Sequence, residues 1–327
     1  MKALITGGGG FLGLAIGRKL RAQGVSVRSF SRHEHPALSG LGIEHRSGDL
    51  ASAEAVVEAA RGCDVVFHVA AKAGVWGPYQ EYYQANVEGT ENIIQACLKL
   101  GIRRLVHTSS PSVVFNGQDM EGVDESVPYP SHFEAFYPET KALAEQRIRA
   151  ANSPRLTTIA LRPHLIWGPG DNHLLPRLAQ RARAGQLRRI GHRNTRVDTV
   201  HVDNAADAHL LAAERATPDS AAAGQVYFIS QDEPVDTWWM VNQLLAAVGA
   251  PAVTRSIPAP AALALAWIFE TVHRLAHRPG EPRLTRFVVR ELCTSHWFNI
   301  TAAQRDLGYQ PAIAIPQGLT DLRESLR

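Results

Sequence analysis

Tyr137 and Lys141 stand four residues apart in Tyr137-Pro138-Glu139-Thr140-Lys141, a spacing that on a helix puts both side chains on one face. Pro138 suits the first turn of such a helix, where its missing N–H removes no bond. A free phenol, with a pKa of about 10, exchanges protons poorly at neutral pH. An ammonium beside it favours the phenolate and lowers that value toward use. Seven tyrosines and five lysines in 327 residues would supply only about 0.1 such pairs by chance, so a mere surface helix pair is the weaker reading. Upstream, Arg104-Leu105-Val106-His107-Thr108 reads as a strand and ends in Ser109-Ser110. A hydroxyl there can hydrogen-bond a substrate oxygen while Tyr137 moves the proton, although hydroxyl clusters also suit turns.

Proton transfer at a carbonyl or alcohol carbon needs a hydride carrier, and the N-terminus has the loop for one. Thr6-Gly7-Gly8-Gly9-Gly10-Phe11-Leu12-Gly13 follows a short apolar run and opens onto a helical pattern. Glycines there permit a tight turn and let backbone approach a dinucleotide pyrophosphate, whose charge the helix N-terminus holds. The second strand ends in Ser29-Phe30-Ser31-Arg32-His33, with no carboxylate before Glu34. A fold that selects NAD places an acid there for the ribose 2′-hydroxyl. Arg32 with Ser31 instead offers charge-assisted bonds to a 2′-phosphate, so NADP, used as NADPH in preference to NADH, is the expected cofactor. Against this, Arg32 is one of 29 arginines in the chain and could be a solvated surface group.

These residues must be held by an alternating framework. Short apolar runs at 3–6, 25–30, 64–69, 105–108 and 158–161 interleave with helical patterns at 12–21, 53–60, 81–100 and 139–150. Strand and helix in repeated alternation give an α/β fold, a Rossmann-type doubly wound parallel sheet. After Arg162-Pro163 the alternation fades, and a smaller C-terminal α/β substrate domain is expected. The dinucleotide-binding domain is placed at 1–165 with 199–230 returning to it, and the substrate-binding domain at 166–198 and 231–327.

Composition narrows the class. Hydrophobic residues are 45%, charged residues 20% and the formal net charge is +3, an ordinary globular balance with no basic run of the kind that grips nucleic acid. Cys63, Cys97 and Cys293 are an odd number with no Cys-x-x-Cys pair, which argues against a zinc site or a disulfide framework and fits the cytoplasm. No metal is expected. The apolar stretch of Met1-Lys2-Ala3-Leu4-Ile5-Thr6 is too short for a signal peptide.

In order along the chain, Gly7-x-x-Gly10-x-x-Gly13, Asp49-Leu50, His68-Val69-Ala70-Ala71, Asn86-Val87-Glu88-Gly89-Thr90 and Tyr137-x3-Lys141 are followed by Arg162-Pro163, Trp167-Gly168-Pro169-Gly170, His201-Val202-Asp203-Asn204 and Leu307-Gly308-Tyr309-x-Pro311. So ordered, they resemble the extended short-chain dehydrogenase/reductases over nearly the whole length. The resemblance implies Ser110 as catalytic serine, Tyr137 as acid/base and Lys141 as its partner, which also holds the nicotinamide ribose. It implies adenine contacts at Asp49 and Leu50, a cofactor path lined by Phe11, Leu12, Ala70, Ala71 and Pro163, and a shaping role for Asn86. Sugar-nucleotide dehydratases of this family carry an acidic pair beside the catalytic hydroxyl, where this chain has Ser110-Pro111-Ser112-Val113-Val114-Phe115. That run, with His296-Trp297-Phe298-Asn299 downstream, is similar to the 3β-hydroxysteroid and sterol-4-carboxylate dehydrogenases and to bacterial β-keto acid reductases of long-chain olefin biosynthesis. Nucleotide-sugar epimerisation with a tightly retained cofactor is a second reading. A third is a non-catalytic cofactor sensor, against which the intact Ser110, Tyr137 and Lys141 argue.

Within residues 258–276 an uninterrupted apolar run ends at Glu270, followed by Arg274, Arg278, Arg283 and Arg286. It is too short to span a bilayer and suits a buried or interfacial helix. An apolar wall beside a cationic rim would match a small lipophilic substrate with a carboxylate; a core helix with a solvated basic end is the plainer reading. The partners expected are that substrate, a second copy of the chain pairing through helices 81–100 and 139–150, and a peripheral membrane or pathway-enzyme contact.

Overall fold

The computed structural model describes residues 1–276 and 280–326, so Arg278 lies outside the described residues. Seven parallel strands form the central sheet: β1 (Lys2–Thr6), β2 (Ser26–Ser31), β3 (Glu44–Ser47), β4 (Val65–His68), β5 (Arg104–Thr108), β6 (Thr157–Pro163) and β7 (Val226–Ile229). Their order is β7-β6-β5-β4-β1-β2-β3. The winding reverses between β1 and β4, the place where such sheets bind ligands beyond the carboxyl ends of their strands. Every residue of β4 and β6 is buried, as expected when helices cover both faces of a parallel sheet.

Alternation along β1 shows how the layers are glued. Ala3 and Ile5 join the cluster that holds Leu12, Ile16 and Leu20 of helix Phe11–Ala22 and Ala205 of helix Val202–Arg215. Leu4 faces the other way, into Val56 and Ala59 of helix Ala53–Ala60 and Ile93 and Cys97 of helix Gly89–Leu100. Period two in the strand thus becomes two hydrophobic layers. Ser52 starts helix Ala53–Ala60 by accepting a bond from the Ala55 N–H at 3.3 Å, the usual work of a serine N-cap.

The helix expected over 81–100 is divided. Tyr79–Tyr82 is α-helical, Tyr83–Glu88 is a π-helix, and Gly89–Leu100 is α-helical again. Such wide single turns are rare and tend to fall at functional sites. The helix expected over 139–150 begins earlier, at Phe136, because Pro138 occupies its first turn.

A second, four-stranded sheet runs Val235–Asp236, Arg196–Val197, His296–Phe298, Met120–Val123. Three of its strands come from the chain after Pro163. The fourth, Met120–Val123, leaves the first half of the sequence to pair with His296–Phe298, lashing the two parts together just beyond β5 and its serines.

Candidate active site

The glycine loop leaves β1 and turns directly into helix Phe11–Ala22. Gly7 has φ 69°, a left-handed conformation that favours glycine, and its carbonyl accepts the Gly10 N–H at 2.9 Å. A Cβ on Gly13 would run into that same carbonyl oxygen. The helix begins at Gly10 with no side-chain cap and no acidic residue in its first turn, so its leading N–H groups and partial positive charge are left for an anion. The cradle therefore fits a dinucleotide pyrophosphate.

Around it, Phe11 is half-buried, while Leu12 is 6% exposed and supports the loop from beneath. The Ala70 N–H bonds Thr6 Oγ1 at 3.1 Å, and Ala71 is exposed. Arg32 is exposed and makes no ion pair among the described residues. Ser31 Oγ is turned locally, donating to the His33 carbonyl at 2.8 Å. Asp49 is exposed and accepts the Ala51 N–H at 3.0 Å; Leu50 beside it is half-buried against Gly89. Pro163 is buried at the end of β6, opposite Ile229.

Tyr137 and Ser110 come together. Ser110 starts a short 3₁₀ turn, with its Oγ accepting the Ser112 N–H at 3.2 Å and lying 2.9 Å from Ser112 Oγ. Ser109 is buried with its N–H on the Leu161 carbonyl, so of the two serines Ser110 is the one set toward the phenol. The expectation that Lys141 lowers the Tyr137 pKa needs correction. Burial pushes the phenol up, the Ser110 hydroxyl pulls it down, and the charge of Glu291 adds to the rise. The Lys141 ammonium donates to the Thr108 carbonyl at 2.6 Å and lies 3.3 Å from His107 Nε2. Only 2% of Lys141 is exposed, and burial brings its pKa down to about 8 against the opposing pull of Glu145.

Of the supporting residues, His107, Glu145 and Glu291 were not singled out from the sequence, whereas Asn86 and the His68 motif were. His107 is buried, and burial followed by the nearby Lys141 charge holds it well below the usual imidazole range; it is a neutral partner for the ammonium. His68 bridges Thr6 Oγ1 at 2.8 Å and Thr90 Oγ1 at 2.9 Å, tying β1 and β4 to the next helix. Asn86, in the π turn, accepts the Lys72 N–H at 2.7 Å and donates to Thr140 Oγ1 at 3.0 Å, so it clamps the loop after β4 to the Tyr137 helix. Glu145 lies one turn beyond Lys141 and binds Arg162 through two bonds, at 2.6 and 2.9 Å; its i, i+4 position was the available signal. Glu291 reaches the site from helix Arg286–Cys293, and burial with Glu134 raises its carboxyl to about 8. Nothing in its sequence neighbourhood marks it.

The outer helix is buried along one side only. Helix Ala259–Leu275 turns Ala262 and Ala266 inward, onto Trp238, Leu245 and Val289, while Leu265, Trp267, Ile268, Val272 and Leu275 face outward. Arg286 is paired with Glu270, whereas Arg274 is exposed and lies 5.9 Å over Trp76.

Comparison with known proteins adds a family. The model of the 3-beta hydroxysteroid dehydrogenase/isomerase family matches residues 4–258. The 2-alkyl-3-oxoalkanoate reductase of Stenotrophomonas maltophilia is 51% identical over 99% of each chain. The protein of the same name from Shewanella oneidensis is 46% identical over 99% of this chain and 86% of that one. Among solved structures, the UDP-glucose 4-epimerase of Thermus thermophilus, in complex with NAD, superposes with a TM-score of 0.74 at 21% identity, over 100% of this chain and 99% of that one. The last likeness concerns the fold.

Proposed function

The chain belongs to the 3-beta hydroxysteroid dehydrogenase/isomerase family and is an oxidoreductase of the extended short-chain dehydrogenase/reductase type, and on that footing we propose that it uses NADPH to reduce the ketone of a 2-alkyl-3-oxoalkanoate to the 3-hydroxy acid. The observation that carries this reading is the pair of relatives at 51% and 46% identity, both 2-alkyl-3-oxoalkanoate reductases, each matched over 99% of this chain.

When bound, the dinucleotide supplies the hydride. The residues of the chain bind it and manage the proton. Gly7, Gly10 and Gly13 hold the pyrophosphate, Ser31 and Arg32 the 2′-phosphate, and Asp49 and Leu50 the adenine side, with Phe11, Leu12, Ala70, Ala71 and Pro163 along the path. Tyr137 gives its proton to the substrate oxygen while Ser110 donates a hydrogen bond to the same atom. Burial keeps the phenol protonated, which is the form a reduction consumes. Lys141, fixed by the Thr108 carbonyl, offers its remaining protons to the nicotinamide ribose. Glu291, raised to about 8, is mostly protonated at neutral pH and so does not repel a substrate carboxylate.

Two measurements test this. Arg32→Ala should weaken NADPH by about 1.5 to 3 kcal/mol, the worth of hydrogen bonds to a charged group, and leave NADH unchanged; equal losses in fluorescence titrations would remove the 2′-phosphate role. NADPH oxidation should be followed with β-keto acids of increasing tail length, beside keto-steroids and UDP-sugars. kcat/KM rising with tail length is the expected result. Better turnover of keto-steroids would favour the 3β-hydroxysteroid reading that the family's name supports, and better turnover of UDP-sugars the epimerase reading.

A further inference from the structure

Helix Ala259–Leu275 has its polarity reversed. Its one carboxylate, Glu270, is 7% exposed and accepts both the Arg286 N–H at 2.8 Å and Arg286 Nε at 2.7 Å. Its large apolar side chains point to solvent: Leu265 is 39% exposed, Ile268 46%, Val272 41%, Leu275 77% and Trp267 56%. The first four, with Ala261 and Ala264, recur at three- and four-residue steps and so share one face. A contiguous apolar stripe of this kind marks a surface that something else covers.

The surroundings indicate what. Residues 251–286 contain five arginines, two glutamates and no lysine or aspartate, a net +3 that equals the formal charge of the whole chain. Both glutamates are already bound, Glu270 to Arg286 and Glu281 to Arg177. Arg255, Arg274 and Arg283 are exposed. An apolar stripe edged by cations with no free acid is the pattern that lies at the interface of an anionic bilayer. The stripe is too small for a stable homodimer by itself: a helix of 17 residues is about 25 Å long and about 10 Å wide, giving about 250 Å² against about 800 Å² per partner. It is also too short to cross, and no helix among the described residues is long and apolar enough to do so.

The stripe adjoins the site. At its C-terminal end, His273 meets Trp76 edge-on at 6.3 Å and Arg274 lies over the same ring. Trp76 belongs to the loop that runs on from Ala70 and Ala71, and Glu281 accepts the Val75 N–H of that loop at 3.1 Å. We propose that the outward face of helix Ala259–Leu275 rests on an anionic lipid surface, with Arg274 and Arg283 at headgroup level and the loop after β4 turned toward the lipid. The docking is independent of which lipophilic ketone the enzyme reduces.

The test is co-sedimentation of the full chain with phosphatidylcholine vesicles containing phosphatidylglycerol, and with pure phosphatidylcholine vesicles, at low and high salt. Binding should require phosphatidylglycerol and weaken with salt. Ile268→Ser with Leu275→Ser should lower the partition coefficient by about tenfold or more, because the buried apolar area is lost. Arg274→Ser with Arg283→Ser should weaken binding to the anionic vesicles. Both positions of the apolar variant are exposed, so its melting temperature should match that of the parent. A chain that stays in the supernatant with both vesicles overturns the proposal. So does binding that survives both variants, or an oligomer in solution that only the apolar variant dissociates while vesicle binding is absent.

Discussion

Tyr137→Phe is expected to lower kcat by about 10²- to 10⁴-fold, the range for loss of a positioned proton donor, with the fold and the affinity for NADPH unchanged. The change removes one oxygen from a half-buried side chain whose neighbour Ser110 retains its bonds to Ser112. Stopped-flow NADPH oxidation gives the rate, and fluorescence titration gives the affinity. A near-normal rate would take Tyr137 out of the proton-transfer role. Lys141→Ala offers the contrast, because its ammonium is anchored on the Thr108 carbonyl at the mouth of β5. It should lower the rate and weaken the cofactor together, whereas the Tyr137 variant separates the two.

The largest loss of stability is expected from Glu145→Ala. Glu145 and Arg162 are 0% and 2% exposed, and Tyr129 Oη donates to the same carboxylate at 2.6 Å. Burial pushes the carboxyl up, but the two Arg162 bonds and its charge more than offset this and hold it below the usual range. Removing one member leaves the guanidinium, 5.1 Å from the Phe228 ring, buried without its counter-ion, which costs about 3 to 5 kcal/mol. The urea midpoint should fall accordingly. Glu145→Leu combined with Arg162→Met should recover much of the loss, because a buried pair replaced by apolar groups of similar volume is often close to neutral. An unshifted midpoint in the single variant would mean that water reaches the pair.

What could be read from the sequence is what depends on neighbours along the chain. The glycine loop, the Tyr137 and Lys141 spacing and the alternation of strand and helix are all local patterns, and five of the seven central strands fall on the expected runs, while β3 (Glu44–Ser47) and β7 (Val226–Ile229) fall on none of them. What escaped depends on distance. His107 meets Lys141 across 34 positions, and Asn86 meets Thr140 across 54; neither is marked by a repeat. The Tyr137 shift escaped for another reason, since burial sets its direction and the four-residue spacing carries no sign of burial. Helix Ala259–Leu275 is apolar on nearly every side, so its composition does not say which face packs. That was settled by Glu270 needing Arg286.

The π-helix Tyr83–Glu88 gives this stretch a sensitivity to chain length. Its wide turn accommodates one residue more than an α-helix would over the same rise. A one-residue deletion within it would let the segment close into ordinary α geometry with the helices on either side still in phase, so the change would fall on the turn itself, where Asn86 sits. Lys72 and Thr140 hold Asn86 from outside that helix, so re-aiming Asn86 within the closed turn would break the clamp without altering any of the residues that form it. In this segment the chain length matters alongside the side chains: a substitution between 83 and 88 that keeps Asn86 leaves the clamp in place, whereas a deletion re-aims it.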